Sequence, residues 1–322
     1  MNLKIKFLLI IITLSILFIS GCVEEDKIND EYDIYVGSNI DNGYSTIQKA
    51  INNASNKDSI YIYNGIYNET LKINKSINLI TENNDKTIID YKGNKTEEIA
   101  IITITSDNCT INGIRINNSN KNIKLTGILI KSSNNTIINN TITNTDKGIF
   151  IESDYNTNYL NNTILFNNLI NNSYGLHIIY SPNNNISYNK IKFSKEYGIY
   201  LLSSDTNTLS NNTFSENNYG LRIKGSRGNK LFNNNILLNQ KGLYFCCGAR
   251  NNIVYNNNFQ ENNIWHANDA LGNQWDNGII GNYWDDYEKK YPNSEIINGI
   301  WETPYNITGG SYTDNFPLLN PI

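Results

Sequence analysis

The chain has 322 residues, 39% hydrophobic, 11% aromatic and 17% charged, with a formal net charge of −4. That balance supplies a sizeable apolar core and excludes an unfolded polyelectrolyte, while the acidic excess and lack of a basic patch exclude a nucleic-acid partner. Beyond Cys22 there are three cysteines, Cys109, Cys246 and Cys247, an odd number that describes no disulfide framework.

Residues 1–21, MNLKIKFLLIIITLSILFISG, read as a lipoprotein signal peptide. Lys4 and Lys6 form the basic start, Phe7 to Ile19 is nearly all apolar, and Ile19-Ser20-Gly21-Cys22 has the form of a lipoprotein cleavage box. The apolar run is shorter than the roughly 20 residues a spanning helix needs. Cys22 is therefore the expected lipidation site, attaching the mature protein to the outer face of the cytoplasmic membrane. An uncleaved N-terminal anchor is the alternative. Residues 22–33 then form an acidic tether.

The folded part is expected to start at residue 34. In STIQKAINNAS, Ile47, Ala50, Ile51 and Ala54 have helical spacing, which predicts a short amphipathic helix covering the open end of a sheet. The stretch SIYIYNGIYNETLKINKSINLIT, residues 59–81, predicts three short alternating strands.

A repeat follows. Six segments begin alike: GILIK at Gly127, GIFIE at Gly148, GLHII at Gly175, GIYLL at Gly198, GLRIK at Gly220 and GLYFC at Gly242. A second signature runs in phase, Asn followed two residues later by an aliphatic or Phe, at Asn140, Asn162, Asn189, Asn212, Asn234 and Asn257. Apolar residues alternate with period two, and Gly and Asn-Asn clusters mark turns. A repeat of about 22 residues built from short strands and tight turns describes one coil of a parallel β-helix, assigned to residues 34–262. Asn tolerates the left-handed backbone of sharp corners, and equivalent amides on successive coils are placed to bond one above another.

Past residue 263 the period fails, and GNQWDNGIIGNYWDDY opens a Trp-rich capping segment, residues 263–322. Trp275, Trp284 and Trp301 with Asp276, Asp285 and Asp286 form either a ligand site or, as such aromatics more often do, a closure of the last coil.

Three features carry a family resemblance: the entry TIQKAINNAS with its first strands, the repeated GI-x-I…NN-x-I units, and GNQWDNGIIGNYWDDY…ETPYNITGGSYTDNFPLL near the end. With them the chain resembles the NosD-type periplasmic copper-binding family, within the pectin-lyase-like right-handed parallel β-helix proteins. The resemblance implies a right-handed, all-β solenoid, copper as a possible cofactor, and an accessory role beside a membrane transporter. Relatives often carry a calcium-loop-like segment before TPY. Here EKKYPNSEIINGIWE offers only Glu295, Asn298 and Glu302, fewer than the six to eight oxygens calcium takes.

Counting each repeat glycine as zero, positions +1 and +3 are aliphatic or Phe and should face inward, so position +2 should face outward and line up. From Gly148 the +2 residues are Phe150, His177, Tyr200, Arg222 and Tyr244. This stripe is a candidate platform for sugar rings, although Tyr and Phe also suit strands for their own sake. Polysaccharide cleavage is a further alternative, because the fold hosts lyases and hydrolases. A hydrolase needs paired carboxylates, whereas Glu152 is the one acid on the +2 and +4 stripes, so no catalytic residue is assigned. For copper, Cys246 at the +4 position and Cys247 at the next corner are the candidate soft ligands. The expected protein is an extracytoplasmic, non-catalytic binder of carbohydrate or cell-envelope polymer.

Overall fold

Each repeat folds into three short strands joined by tight corners, and strands of successive repeats pair in parallel. The structure, a computed structural model, describes residues 32–38, 40–93, 99–120 and 122–322, so the expected signal peptide, Cys22 and residues 23–31 of the tether lie outside the described residues. Among the described residues no helix is long and apolar enough to cross a membrane.

One coil runs through Thr136–Ile138, Thr141–Thr143 and Lys147–Glu152, and each of these strands belongs to a different sheet. The first and second sheets have ten strands each and the third has nine. The predicted parallel β-helix is the observed fold. Its core is a stack of aliphatics from all three sheets, such as Ile137, Ile142, Ile149 and Ile151, each 0% exposed. Each such side chain contributes roughly 1.5–3 kcal/mol by leaving water.

The repeat glycines open the strands of the third sheet, and packing explains them. A Cβ on Gly148 would stand 2.5 Å from the carbonyl oxygen of Gly175 on the next coil. Only a residue without a side chain admits that approach. The in/out alternation also slips at this point. The residue before the glycine and the second residue after it both face away from the core, as the Lys147 ammonium over the Phe150 ring shows.

The asparagines form three ladders, one at each corner. Asn135, Asn162, Asn184, Asn207, Asn229, Asn252 and Asn273 precede the first sheet, and each backbone N–H donates to the Oδ1 of the next. Asn140, Asn167, Asn189, Asn212, Asn234, Asn257 and Asn282 do the same before the second sheet. The third ladder, before the third sheet, is mixed: Thr145 donates to Asn172, and Ser194, Asn217, Asn239 and Asn262 follow.

One expectation is corrected here. Asn162 stands in the first ladder, and Asn167 takes the place expected for it in the second. Asparagine does take the left-handed corners as expected, although not at the ladder positions themselves. The left-handed conformation falls to the residue before each, Asn139 (φ 56°), Phe166 (φ 54°), Tyr188 (φ 56°), Asn211 (φ 56°), Asn233 (φ 57°) and Asn256 (φ 53°). The ladder carboxamide is needed for hydrogen bonding, because it is buried with no water to turn to.

At the N-terminal end, helix Ile47–Asn53 buries Ile47, Ala50 and Ile51 against the first strands. Glu69 accepts the Ile47 and Gln48 N–H groups at 2.9 Å each, with Ala54 as C-cap. Residues 59–81 form four strands where three were expected, because Asn64 breaks the first run into Ser59–Ile62 and Gly65–Tyr67. At the other end, Trp265–Asn268 and Tyr283–Trp284 extend the third and second sheets past residue 262. Trp284 stacks between Phe259 (4.4 Å) and Tyr305 (4.1 Å), closing the core.

Candidate functional site

On the third sheet Phe150, His177, Tyr200, Arg222 and Tyr244 are cross-strand partners in one continuous register. Leu129 precedes them and Asn268 follows. A second column, absent from the sequence reading, stands beside it: Lys147, Tyr174, Tyr197, Tyr219, Lys241 and Trp265, the residues before each glycine and their successor. The signal was the Tyr-Gly dipeptide in three successive repeats, and the slip in alternation brings it to the outer face.

The column is less open than expected. Phe150 (8%) and His177 (7%) are buried, since Leu129 and Ala100 pack on Phe150 while neighbouring rings enclose the imidazole. His177 lies 4.9 Å from both Phe150 and Tyr200, with interplanar angles of 19° and 15°. Tyr174 to Tyr197 and Tyr197 to Tyr219 are 5.5 and 5.1 Å apart. These spacings follow the strand separation of about 4.8 Å, so the rings stand upright and their faces cover one another. Cations take further faces: Arg222 lies 5.3 Å from the Tyr197 ring, 5.4 Å from Tyr200 and 5.8 Å from Tyr244, and Lys241 is 4.3 Å from Tyr219. Solvent meets ring edges, phenol hydroxyls and cationic groups. The ring faces are taken up by one another and by cations, leaving little open face for flat stacking.

Neither imidazole nitrogen of His177 has a partner. Burial, then the nearby Lys147 charge, pulls its pKa down to about 4, so the ring is neutral. Burial pushes the Tyr174, Tyr200 and Tyr244 phenols up, leaving them as hydroxyl donors at neutral pH. At the N-terminal end of the face a cavity of about 460 Å³ is lined by Ile99, Leu129, Phe150, Lys124, Asp146 and Glu152, among others. Glu152 pairs with Lys131 at 2.8 Å, and Asp146 with Lys147 at 2.9 Å.

Cys246 lies on the outer face in register with Lys224 but is buried (6%), whereas Cys247 is exposed at the corner. Burial raises the Cys246 thiol pKa, and the adjoining Arg222 guanidinium works against that rise. Cys109 is buried, its Sγ 3.2 Å from the Lys75 and Ser106 carbonyls.

Among the described residues one group holds three metal-type ligands together, His266, Asp285 and Asp286. Its hydrogen bonds identify it as the end of the third ladder. Asn262 Oδ1 accepts from the Asn239 N–H (3.1 Å) and Nδ2 (3.0 Å), so Asn262 Nδ2 faces His266 Nδ1 at 3.1 Å and donates to it. With Nδ1 accepting, Nε2 carries the N–H that faces Asp285 at 2.8 Å. Burial works upward on Asp285, yet His266 and the Glu261 N–H hold its carboxyl below the usual range. Asp269 and Asp314 end the other two ladders by accepting from Asn273 and Asn282. Trp275 and Trp284 donate to these same two carboxylates, which makes them part of the closure.

The family profile described as "Periplasmic copper-binding protein (NosD)" matches residues 51–289, most of the solenoid and the first part of its closure. The chain belongs to the NosD family. Among solved structures, this NosD-family chain is similar to a GH136 lacto-N-biosidase from Eubacterium ramulus, with 11% identity and a TM-score of 0.51 over 74% of this chain and 66% of that one. Pectate lyase Pel9A gives 15% identity and a TM-score of 0.49 over 70% and 69%. The A-module of mannuronan C-5 epimerase AlgE4 from Azotobacter vinelandii gives 13% and 0.44 over 74% and 88%. At such identities the likeness is one of fold. No curated protein matches the sequence.

Proposed function

We propose that this NosD-family protein is an extracytoplasmic, lipid-anchored binding solenoid. Its third sheet receives an extended carbohydrate or cell-envelope polymer without cleaving it. The observation that carries this reading is the pair of registered outward columns, Tyr174/Tyr197/Tyr219 beside Tyr200/Arg222/Tyr244, which repeats hydrogen-bonding groups along the solenoid at the strand spacing. Glu152 and Asp146, the carboxylates at the head of the face, are each tied to a lysine. That suits surface pairing better than acid–base chemistry. The test is a glycan screen of the full chain with a Tyr200→Ala/Tyr244→Ala variant, using Tyr200→Phe/Tyr244→Phe to keep the rings. A tenfold or greater loss in the alanine pair is expected, and unchanged affinity removes the reading.

A second reading, a copper accessory protein beside a membrane transporter, is favoured by family membership. His266 does not fit a copper ion, because one ring nitrogen accepts from Asn262 and the other holds its proton toward Asp285. Asp286 is likewise engaged, by Lys290 at 2.9 Å and the Tyr305 hydroxyl at 3.0 Å. The adjacent thiols Cys246 and Cys247 are the candidate soft ligands: copper(I) held by two thiolates would carry net negative charge, which the Arg222 guanidinium beside Cys246 would offset. Copper(I) titration against a thiol-blocked control decides this reading, and absence of thiol-dependent uptake ends it.

A further inference from the structure

Cations on the outer face of the third sheet fall into two groups. Two in the earlier coils are answered by carboxylates, Lys131 by Glu152 at 2.8 Å and Lys147 by Asp146 at 2.9 Å. In strands Tyr219–Lys224 and Lys241–Cys246 they are not. The outward positions there are Tyr219, Arg222, Lys224, Lys241, Tyr244 and Cys246, three cations and no carboxylate. The corner column that places Asp146 and Glu196 before earlier strands carries Asn218 and Gln240 before these two. None of the three cations has an ion pair among the described residues.

These charges are fixed by neutral groups. Arg222 donates to the Tyr197 hydroxyl and is flanked by three tyrosine rings, and Lys241 Nζ donates to the Tyr219 hydroxyl at 2.8 Å. Phenols and ring faces orient a cation without cancelling its charge, so much of the ordering cost is met before any ligand arrives. A local excess of positive charge on a chain of net charge −4 is the opposite of its average surface. It creates a local potential that selects anions.

Resting on the polymer-binding reading above, we infer that the ligand is a polyanionic envelope polymer, bearing carboxylate or phosphate on successive units. Its anions are received by Arg222, Lys224 and Lys241. Arg222 and Lys224 share one strand and Lys241 stands on the next, about 4.8 Å across, so the cluster spans the scale of a single sugar unit. Guanidinium and ammonium groups bind carboxylate and phosphate through charge-assisted hydrogen bonds.

The test uses the full chain against three probes, polygalacturonate, poly(glycerol phosphate) and the neutral glucan laminarin, at low and physiological salt. Binding to at least one polyanion, weakened by salt and at least tenfold tighter than to laminarin, is expected. The polyanion preferred tells carboxylate from phosphate as the recognised group. Lys224→Glu/Lys241→Glu, which leaves the Arg222 sandwich intact, should lower polyanion affinity tenfold or more while the β-sheet circular dichroism spectrum is retained. Laminarin binding as tight as the polyanions, or insensitivity to the double variant, overturns this inference while leaving the polymer-binding reading standing. Failure to bind any of the three, with a broad glycan screen also blank, removes both.

Discussion

His177 shows how far a residue's chemistry departs from what its name suggests. A histidine among aromatics invites a ligand role, yet both its nitrogens are buried without partners and its ring is one layer in a stack between Phe150 and Tyr200. Leaving those atoms unpaired costs stability, about 1–3 kcal/mol for a buried polar group. His177→Phe continues the stack and should raise the melting temperature. The same variant checks the titration. With a folded pKa of about 4 against an unfolded 6.5, the native ring stays neutral while the unfolded chain takes up a proton. Stability from this group is complete above about pH 6.5 and falls as the pH drops toward 4, by up to about 3 kcal/mol. Denaturant melts of both proteins at pH 7.5 and pH 4.5 should show the difference, with a smaller loss in His177→Phe. The +2 register of this residue was legible because period two is local. Its burial was not, since the covering rings come from other coils and from the Tyr-Gly column.

The ladders belong to the scale of the element. Ladder asparagines donate their N–H, and most of them Nδ2 as well, toward the next coil, so the last asparagine needs an acceptor where the solenoid stops. Asp269, Asp314 and His266 Nδ1 supply the three acceptors. Asp314 is 0% exposed and accepts from Asn282 N–H (2.6 Å), Trp284 Nε1 (2.9 Å) and Phe316 N–H (3.0 Å). Burial drives its carboxyl up to about 7 against these donors. Asp314→Ala should cost about 3 kcal/mol or more, because three donors are left buried and unpaired, and Asp314→Asn should cost less by keeping one acceptor. Chemical denaturation of the two variants measures both. In the sequence the ladders show as Asn recurring every five residues, at Asn162, Asn167 and Asn172 and again at Asn207, Asn212 and Asn217. The spacing of five is the length of one strand plus one corner. Without it, Asn162 was matched to the wrong ladder.

At the scale of the whole molecule, coils must approach to strand distance everywhere at once, and the glycine column is where backbone meets backbone. Gly148→Ala sets a methyl group against the Gly175 carbonyl and 3.1 Å from Asn172 Nδ2, so it strains a strand and a ladder together. A loss of roughly 3 kcal/mol is expected from such overpacking, read as a lowered melting temperature. The repeat, the solenoid, its N-terminal helix and the +2 register were set by the sequence alone, because period and turn chemistry act over neighbouring residues and each coil copies the one before. Only the tertiary structure decided that ring faces cover one another, that Cys246 is enclosed, that His266 ends a ladder, and that Arg222, Lys224 and Lys241 stand unanswered. Each of those depends on what the adjacent coil or the terminal closure places opposite, and a contact between coils lies more than twenty residues away along the chain.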